Sequence, residues 1–354
     1  MKEITVGELL QLKNAIPIDV RSPVEFKEFC IPGAVNIPLF TDEERAVIGT
    51  IYKQEGSDAA KWKAMEVVSP KLPTLLGEIK EISANGMQPI IYCWRGGMRS
   101  KAVATFISFS GLSIPRLVGG YRAYRQYILE QIPAMLPEKA ITLHGMTGVG
   151  KTDILKGLSD KGFPVIDLEA LAGHRGSIFG TYGLFTGNNQ KTFDALLFQS
   201  LMGMQESPYF LIEAESKRIG KVVIPEALLL KKQQGMNIQL QSSLQSRIER
   251  IYSDYVFPYL QEEWFHNKVI ERLVYIKKRL KDYDLIFRLD EAVNQENYHL
   301  VIKILLEEYY DPRYAHKKME YTEPFHFINN AEHIESTMNE IILLIEKNFL
   351  NRQI

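Results

Sequence analysis

Two short segments carry residue types whose spacing implies chemistry. Residues 145–152 read G-M-T-G-V-G-K-T and follow an apolar run at 140–143. This is the G-x-x-x-x-G-K-[ST] pattern after a strand and before a helix. Gly145, Gly148 and Gly150 let backbone N–H groups wrap a phosphate, Lys151 supplies a point charge, and Thr152 offers a hydroxyl that could reach a metal. Upstream, residues 90–100 read I-I-Y-C-W-R-G-G-M-R-S. Cys93 stands at the end of an apolar run, with Arg95, Gly96, Gly97 and Arg99 behind it. The glycines allow several N–H groups to converge on one spot, and a helix opening at Arg99 adds its positive N-terminal end. Such surroundings favour a thiolate. The loop would hold an oxyanion, or a terminal sulfur or selenium anion on Cys93. A lone cysteine after a strand is more often structural, but paired glycines with two arginines favour the reactive reading.

Further candidates for substrate binding lie near the phosphate loop in sequence. D-L-E-A-L-A-G-H-R-G-S-I-F-G (167–180) gathers His174, Arg175 and Ser177. Y-F-L-I-E-A-E-S-K-R-I-G (209–220) contributes Glu213, Glu215, Lys217 and Arg218. The second segment ends an apolar strand in glutamates, where phosphate-loop proteins commonly place a metal-binding aspartate. No metal centre is expected from the spacing of His, Cys, Asp and Glu, and magnesium is left open. Late basic residues beside aromatics, Lys277, Lys278 and Arg279, then Arg313, Tyr314, His316, Lys317 and Lys318, suit either a solvated surface or RNA backbone contacts.

The elements that must position these residues alternate along the chain. Apolar runs at 16–20, 34–38, 90–93 and 115–118 read as strands, with helices between them, including 59–82 and 99–109. A closing helix at 121–132 leads to Pro133 and Pro137, the expected boundary. A second alternation has strands at 141–144, 164–168, 209–213 and 237–240, and from Ser246 the chain reads as helix with no clear strand. The fold class is α/β: a parallel-sheet domain at 1–133, a P-loop α/β domain at 134–245, and a helical extension at 246–354. A formal net charge of -1 gives no global attraction to nucleic acid, so any RNA site must be a local patch. Two cysteines make no disulfide framework, and with no signal-peptide core or membrane-length apolar stretch a cytoplasmic protein is expected, with no membrane contact.

The first half resembles the rhodanese family. D-V-R-S-P-V-E-F (19–26), I-P-G-A-V-N-I-P (31–38), the Cys93 loop and G-G-Y-R-A-Y (119–124) occur in the family's order. The resemblance implies a persulfide- or perselenide-forming Cys93. One departure is that Arg99 lies six positions after Cys93, the C-x5-R length, against five in common single-domain rhodaneses. The longer loop suits a bulkier, phosphate-like anion. Cys30 sits where that family often has His, and reads as a structural substitution.

The whole chain resembles the tRNA 2-selenouridine synthase family, which joins a rhodanese domain to a P-loop domain in this order. The resemblance implies conversion of wobble-position 2-thiouridine to 2-selenouridine through an S-geranyl intermediate. It also implies geranyl diphosphate and selenophosphate as substrates, no tightly bound cofactor, the tRNA anticodon loop as partner, and selenophosphate synthase as a further contact. Arg95 and Arg99 would hold the donor's phosphate or the selenium anion. A greasy pocket for the geranyl chain is required, and the sequence does not place it. The residues alone leave open a sulfurtransferase fused to a P-loop kinase or NTPase, a binding module, and a C-x5-R phosphatase.

Overall fold

A computed structural model describes residues 2–174, 187–280, 282–314, 321, 323–329 and 331–350. The chain forms two compact units: Met1–Ala134 with Asn189–Gln199, and Met135–Asn188 with Ser200–Ile354.

The first unit is built on five parallel strands, β1 (Glu3–Ile4), β2 (Ala15–Asp19), β3 (Val35–Asn36), β4 (Gln88–Tyr92) and β5 (Arg116–Leu117), in the order β1-β5-β4-β2-β3. From β2 the chain goes on to β3 on one side; from β4 it goes on to β5 on the other. The loops after these neighbours therefore diverge, which opens a crevice at their carboxyl ends. Asp19 and Tyr92 are register partners there, so the D-V-R-S segment and the cysteine loop leave the sheet side by side. The core beneath contains Ile18, Val20, Ile91, Cys93, Val103 and Ile107. The expected helix over 59–82 is two helices, Ser57–Val68 and Leu72–Ala84, joined by a 3-10 turn at Ser69–Lys71. Pro70 and Pro73 cannot donate to the preceding turn, which accounts for the break. Pro133 does not end the closing helix, which runs Gly120–Met135; it removes one intrahelical donor in the last turn, and only two helical residues follow it.

At the crevice floor Asp19 and Arg21 form an ion pair at 2.6 Å, both fully buried. Arg21 also donates to the Phe29 carbonyl at 2.5 Å, and its guanidinium lies 4.6 Å from the Phe29 ring. Removing one partner of such a pair leaves an uncompensated buried charge. Asp19→Ala is expected to destabilise the protein by about 3–5 kcal/mol. The shift of the denaturation midpoint measures this, and a loss below about 1 kcal/mol would mean that the pair behaves as an exposed one.

Residues 189–199, which the sequence division puts within 134–245, cluster with the first unit. Lys191 lies 3.7 Å from Glu28 and 3.6 Å from the Phe29 ring centroid, and Asp194 pairs with Arg125 at 3.1 Å.

The second unit has another five-stranded parallel sheet, in the order β12-β11-β6-β8-β7. Its strands are β6 (Lys139–His144), β7 (Val165–Ile166), β8 (Tyr209–Glu213), β11 (Met236–Leu240) and β12 (Phe325–Ile328). A small antiparallel hairpin pairs β9 (Arg218–Ile219) with β10 (Val222–Val223). Central β6 is flanked by strands added later on both sides, so its carboxyl end is the switch point at which ligands bind such sheets. After 245 the chain is not helical throughout: it returns to the sheet as edge strand β12, paired with β11 from Asn237↔Phe325 to Leu240↔Ile328. Between these strands, helices Leu244–Tyr255, Phe265–Lys277, Tyr283–Asn294 and Tyr298–Ile304 bury a core of their own around Leu273, Ile276, Leu289 and Leu306. Among the described residues no helix is long and apolar enough to cross a membrane.

Candidate functional site

Cys93 leaves β4 at 3% exposure, its Sγ 3.2 Å from Ser100 Oγ, which donates on to the Gly97 carbonyl at 3.3 Å. The G-G-Y segment fixes the loop from behind. Tyr121 N–H donates to the Cys93 carbonyl at 2.9 Å and Arg122 N–H to the Trp94 carbonyl at 2.9 Å. Gly120 has φ +59, and a Cβ there would stand 2.2 Å from the Cys93 oxygen, so only glycine permits this approach. Trp94 is stacked on Tyr121 at 5.7 Å, and Lys191 stands 5.2 Å from the Trp94 ring.

The two arginines of the loop differ. Arg99, in the first turn of the helix Met98–Phe109, donates to both oxygens of Glu25, at 2.5 and 3.2 Å. Burial would raise the Glu25 carboxyl; the hydrogen bonds and charge of Arg99 outweigh it and hold it below the usual carboxylate range. Arg99 is thus a clamp between the cysteine loop and the helix Pro23–Glu28, and any anion it meets competes with the Glu25 carboxylate. Arg95 is exposed and has no hydrogen bond or ion pair among the described residues. It is the available cation of the loop. The other thiol, Cys30, is half-buried, and its pKa is raised, chiefly by burial and then by the charge of Asp19, against the opposing Arg21.

In the second unit the phosphate loop follows β6. Gly148 and Gly150 have φ +80 and +96, and Gly150 caps the helix Lys151–Asp160. The loop is gripped from the helix Leu244–Tyr255. Arg247, 4% exposed, donates to the Thr147 carbonyl at 2.8 Å and pairs with Asp311 at 2.6 Å; Arg250 donates to the Gly148 carbonyl at 2.9 Å. Lys151 Nζ donates to the Gly145 carbonyl at 2.9 Å, folded back over the loop it would serve. Arg247 and Arg250 were not among the sequence candidates: two arginines three apart on a charged helix read as a solvated face.

A cavity of about 960 Å³ adjoins this loop. Gly145, Met146, Val149 and Lys151 line one part, Leu229, Leu230 and Leu240 another, and Glu215 and Lys217 also reach it. Glu213 ends β8 at 2% exposure, with a buried Oε1 that has no hydrogen-bond partner among the described residues. Burial first, then the charges of Glu169 and Glu215, push its carboxyl well above the usual range, with Lys151 opposing. One oxygen from each of Glu169, Glu213 and Glu215 lies within 4.8 Å of the others, and Thr152 Oγ1 lies 3.5 Å from Glu169. An unpartnered buried carboxylate among like charges beside a phosphate loop is a donor set that fits a hard divalent cation.

Of the remaining candidates, Arg218 is exposed on β9. His174 packs against Gly220, where an added Cβ would lie 2.8 Å from its ring; burial, then nearby Arg272, push its pKa below the ordinary value, against Glu215. Arg175 and Ser177 lie outside the described residues, as do His316, Lys317 and Lys318. The other late basic residues are tied into the fold. Lys277 pairs with Asp290, Arg279 donates to Tyr309 Oη at 3.0 Å, Arg313 lies 3.6 Å over the Tyr309 ring, and Lys278 lies 5.8 Å from that of Tyr275.

Comparison with known proteins covers both units. The family profile described as tRNA 2-selenouridine synthase AAA domain matches residues 138–342, and that of the rhodanese-like domain matches 5–127. A tRNA 2-selenouridine synthase of Bdellovibrio bacteriovorus is 37% identical over 258 residues, which cover 70% of this chain and 67% of the relative. One from Shewanella halifaxensis is 35% identical over 339 residues, covering 86% and 89%. Among solved structures, the N-terminal domain of a Clostridium difficile 630 protein described as ATP/GTP binding is 38% identical over 36% of this chain and 99% of that domain, with a TM-score of 0.35.

Proposed function

The chain belongs to the tRNA 2-selenouridine synthase family, and from that premise we propose that it converts 2-thiouridine in a tRNA anticodon loop to 2-selenouridine in two steps, by geranyl transfer and then selenium exchange. The observation that carries this reading is the presence of two anion loops, each at the carboxyl end of its own parallel sheet: one with a nucleophile, Cys93, and one with a phosphate-binding lysine, Lys151.

In the first step an allylic diphosphate ionises as negative charge builds on the leaving group. The N–H groups of 145–152 and Lys151 stabilise that charge, and the thiocarbonyl sulfur captures the geranyl carbon. Lys151 exchanges its contact with the Gly145 carbonyl for the diphosphate. A magnesium ion accompanying the diphosphate would be held by Glu169, Glu213, Glu215 and Thr152, and would neutralise part of its charge. Alkylation turns the base sulfur into a thiol that can depart. In the second step the Cys93 thiolate attacks the base carbon and geranyl thiolate leaves; the selenium of selenophosphate then displaces Cys93 from that carbon, and water takes the phosphoryl group from selenium as phosphate. Arg95 meets the donor anion, and Arg99 keeps the loop in place through Glu25. Trp94, half-buried beside Cys93, offers a ring face to a splayed base.

The test is mass spectrometry of nucleosides from 2-thiouridine tRNA incubated with the protein, geranyl diphosphate and selenophosphate. Appearance of 2-selenouridine only when both donors are present is the expected result. Turnover of ATP without tRNA, and no change in the nucleoside, would replace this reading with a sulfurtransferase fused to an NTPase.

A further inference from the structure

The first unit holds a second cavity, of about 1000 Å³, that neither anion loop explains. Its walls come from the helices Asp42–Gln54 and Ser57–Val68 on one side and Met98–Phe109 on the other. The volume is at the top of the range, about 300–1,000 Å³, in which pockets bury a sizeable small molecule. Large apolar side chains line it yet stand open to solvent: Tyr52 at 61%, Trp62 at 68%, Met65 at 46% and Met98 at 61% exposure. Apolar surface gathered in this way, rather than scattered, marks a site that is covered in use.

Two features say what covers it. First, Met98 and Arg99 line the cavity and open the helix that follows Cys93, so a ligand with its apolar end here has its polar end at the cysteine loop. Second, Arg45 and Arg99 on its wall are tied to Glu25 and Lys61 to Asp58, while Lys53, exposed and without an ion pair among the described residues, is left to meet the anionic end of a ligand whose other end is greasy. Resting on the function proposed above, we infer that this cavity takes the prenyl chain of the S-geranylated nucleoside while its base carbon faces Cys93, with an RNA phosphate meeting Lys53. The prenyl diphosphate donor carries the same chain, but its diphosphate is served by the phosphate loop, whose adjoining cavity has an apolar wall of its own.

The experiment uses the full chain, selenophosphate, and anticodon stem-loop RNA bearing either S-geranyl- or S-methyl-2-thiouridine. Met65→Asp puts a charge on the exposed wall without touching the core, and Ala102→Trp fills the cavity from the helix side. Both variants are expected to raise KM for the geranyl RNA by about tenfold or more, since burial of a chain this long is lost. The preference for geranyl over methyl RNA should collapse. Geranylation of 2-thiouridine RNA by geranyl diphosphate should be unchanged. Titration of Trp62 fluorescence with the two RNAs, with Trp62→Phe as the control, reads the same preference without turnover. An unchanged geranyl preference in both variants overturns the assignment, and a defect confined to the geranyl diphosphate step gives the cavity to the donor instead. Should the wild-type protein bind the geranyl RNA preferentially yet form no 2-selenouridine, the proposed function falls while the cavity assignment stands.

Discussion

In tRNA treated with both donors and the Cys93→Ser variant, S-geranyl-2-thiouridine is expected to accumulate and 2-selenouridine to disappear. Serine keeps the shape of the loop and can still meet Ser100 Oγ, 3.2 Å away in the wild type, but its hydroxyl is a far weaker nucleophile and a far poorer leaving group than a thiolate. Selenation should fall by roughly three orders of magnitude or more, the scale on which loss of an essential nucleophile acts. Geranylation should continue, because the phosphate loop stands on another sheet in another unit. Cys30→Ser is the matched control. Its raised pKa keeps that thiol protonated and a poor nucleophile, so selenation should persist. Nucleoside mass spectrometry decides. Loss of geranylation in a folded, tRNA-binding Cys93→Ser protein would break the assignment of the two steps to two loops.

The parts legible in the sequence are those whose signal is local. Runs such as I-I-Y-C and Y-F-L-I-E are buried on both faces of parallel sheets and read as continuous apolar segments. Glycines at 120, 148 and 150 stand out because the backbone there takes φ values that other residues resist. The parts that escaped are non-local. Strand β12 is an edge strand with His326 and Phe327 exposed, so it has neither a continuous apolar run nor strict alternation, and only its register with β11 makes it a strand. The Arg99–Glu25 clamp joins residues 74 apart, so Arg99 reads as a free anion-binding group until the fold supplies its partner. Arg247 reaches back 100 positions to the Thr147 carbonyl. The cavity beside Met98 comes from apolar residues that a helical pattern assigns to a core and that the fold leaves uncovered.

Lys151→Ala is expected to stop the reaction one step earlier and leave 2-thiouridine unmodified. Diphosphate departure concentrates charge on oxygens that the loop N–H groups and Lys151 must meet. A backbone cradle without its point charge keeps part of its affinity but loses the interaction that strengthens as the bond breaks. Removal of one such group costs about a hundredfold to a thousandfold in rate, and the alanine leaves Glu213 without the only positive neighbour among the main influences on its charge. The Glu213 carboxyl should then be still harder to ionise, which weakens any cation held by Glu169, Glu213 and Glu215 and deepens the defect. Lys151→Arg should not restore full rate, because a planar fork does not reproduce a compact ammonium at a tight glycine loop. Pre-formed S-geranyl tRNA separates the steps. Given that substrate and selenophosphate, Lys151→Ala should form 2-selenouridine at close to the wild-type rate, whereas Cys93→Ser should form none. A Lys151→Ala protein that fails equally on the pre-formed intermediate would show that the phosphate loop serves selenium exchange as well, and the division of labour between the two sheets would have to be abandoned.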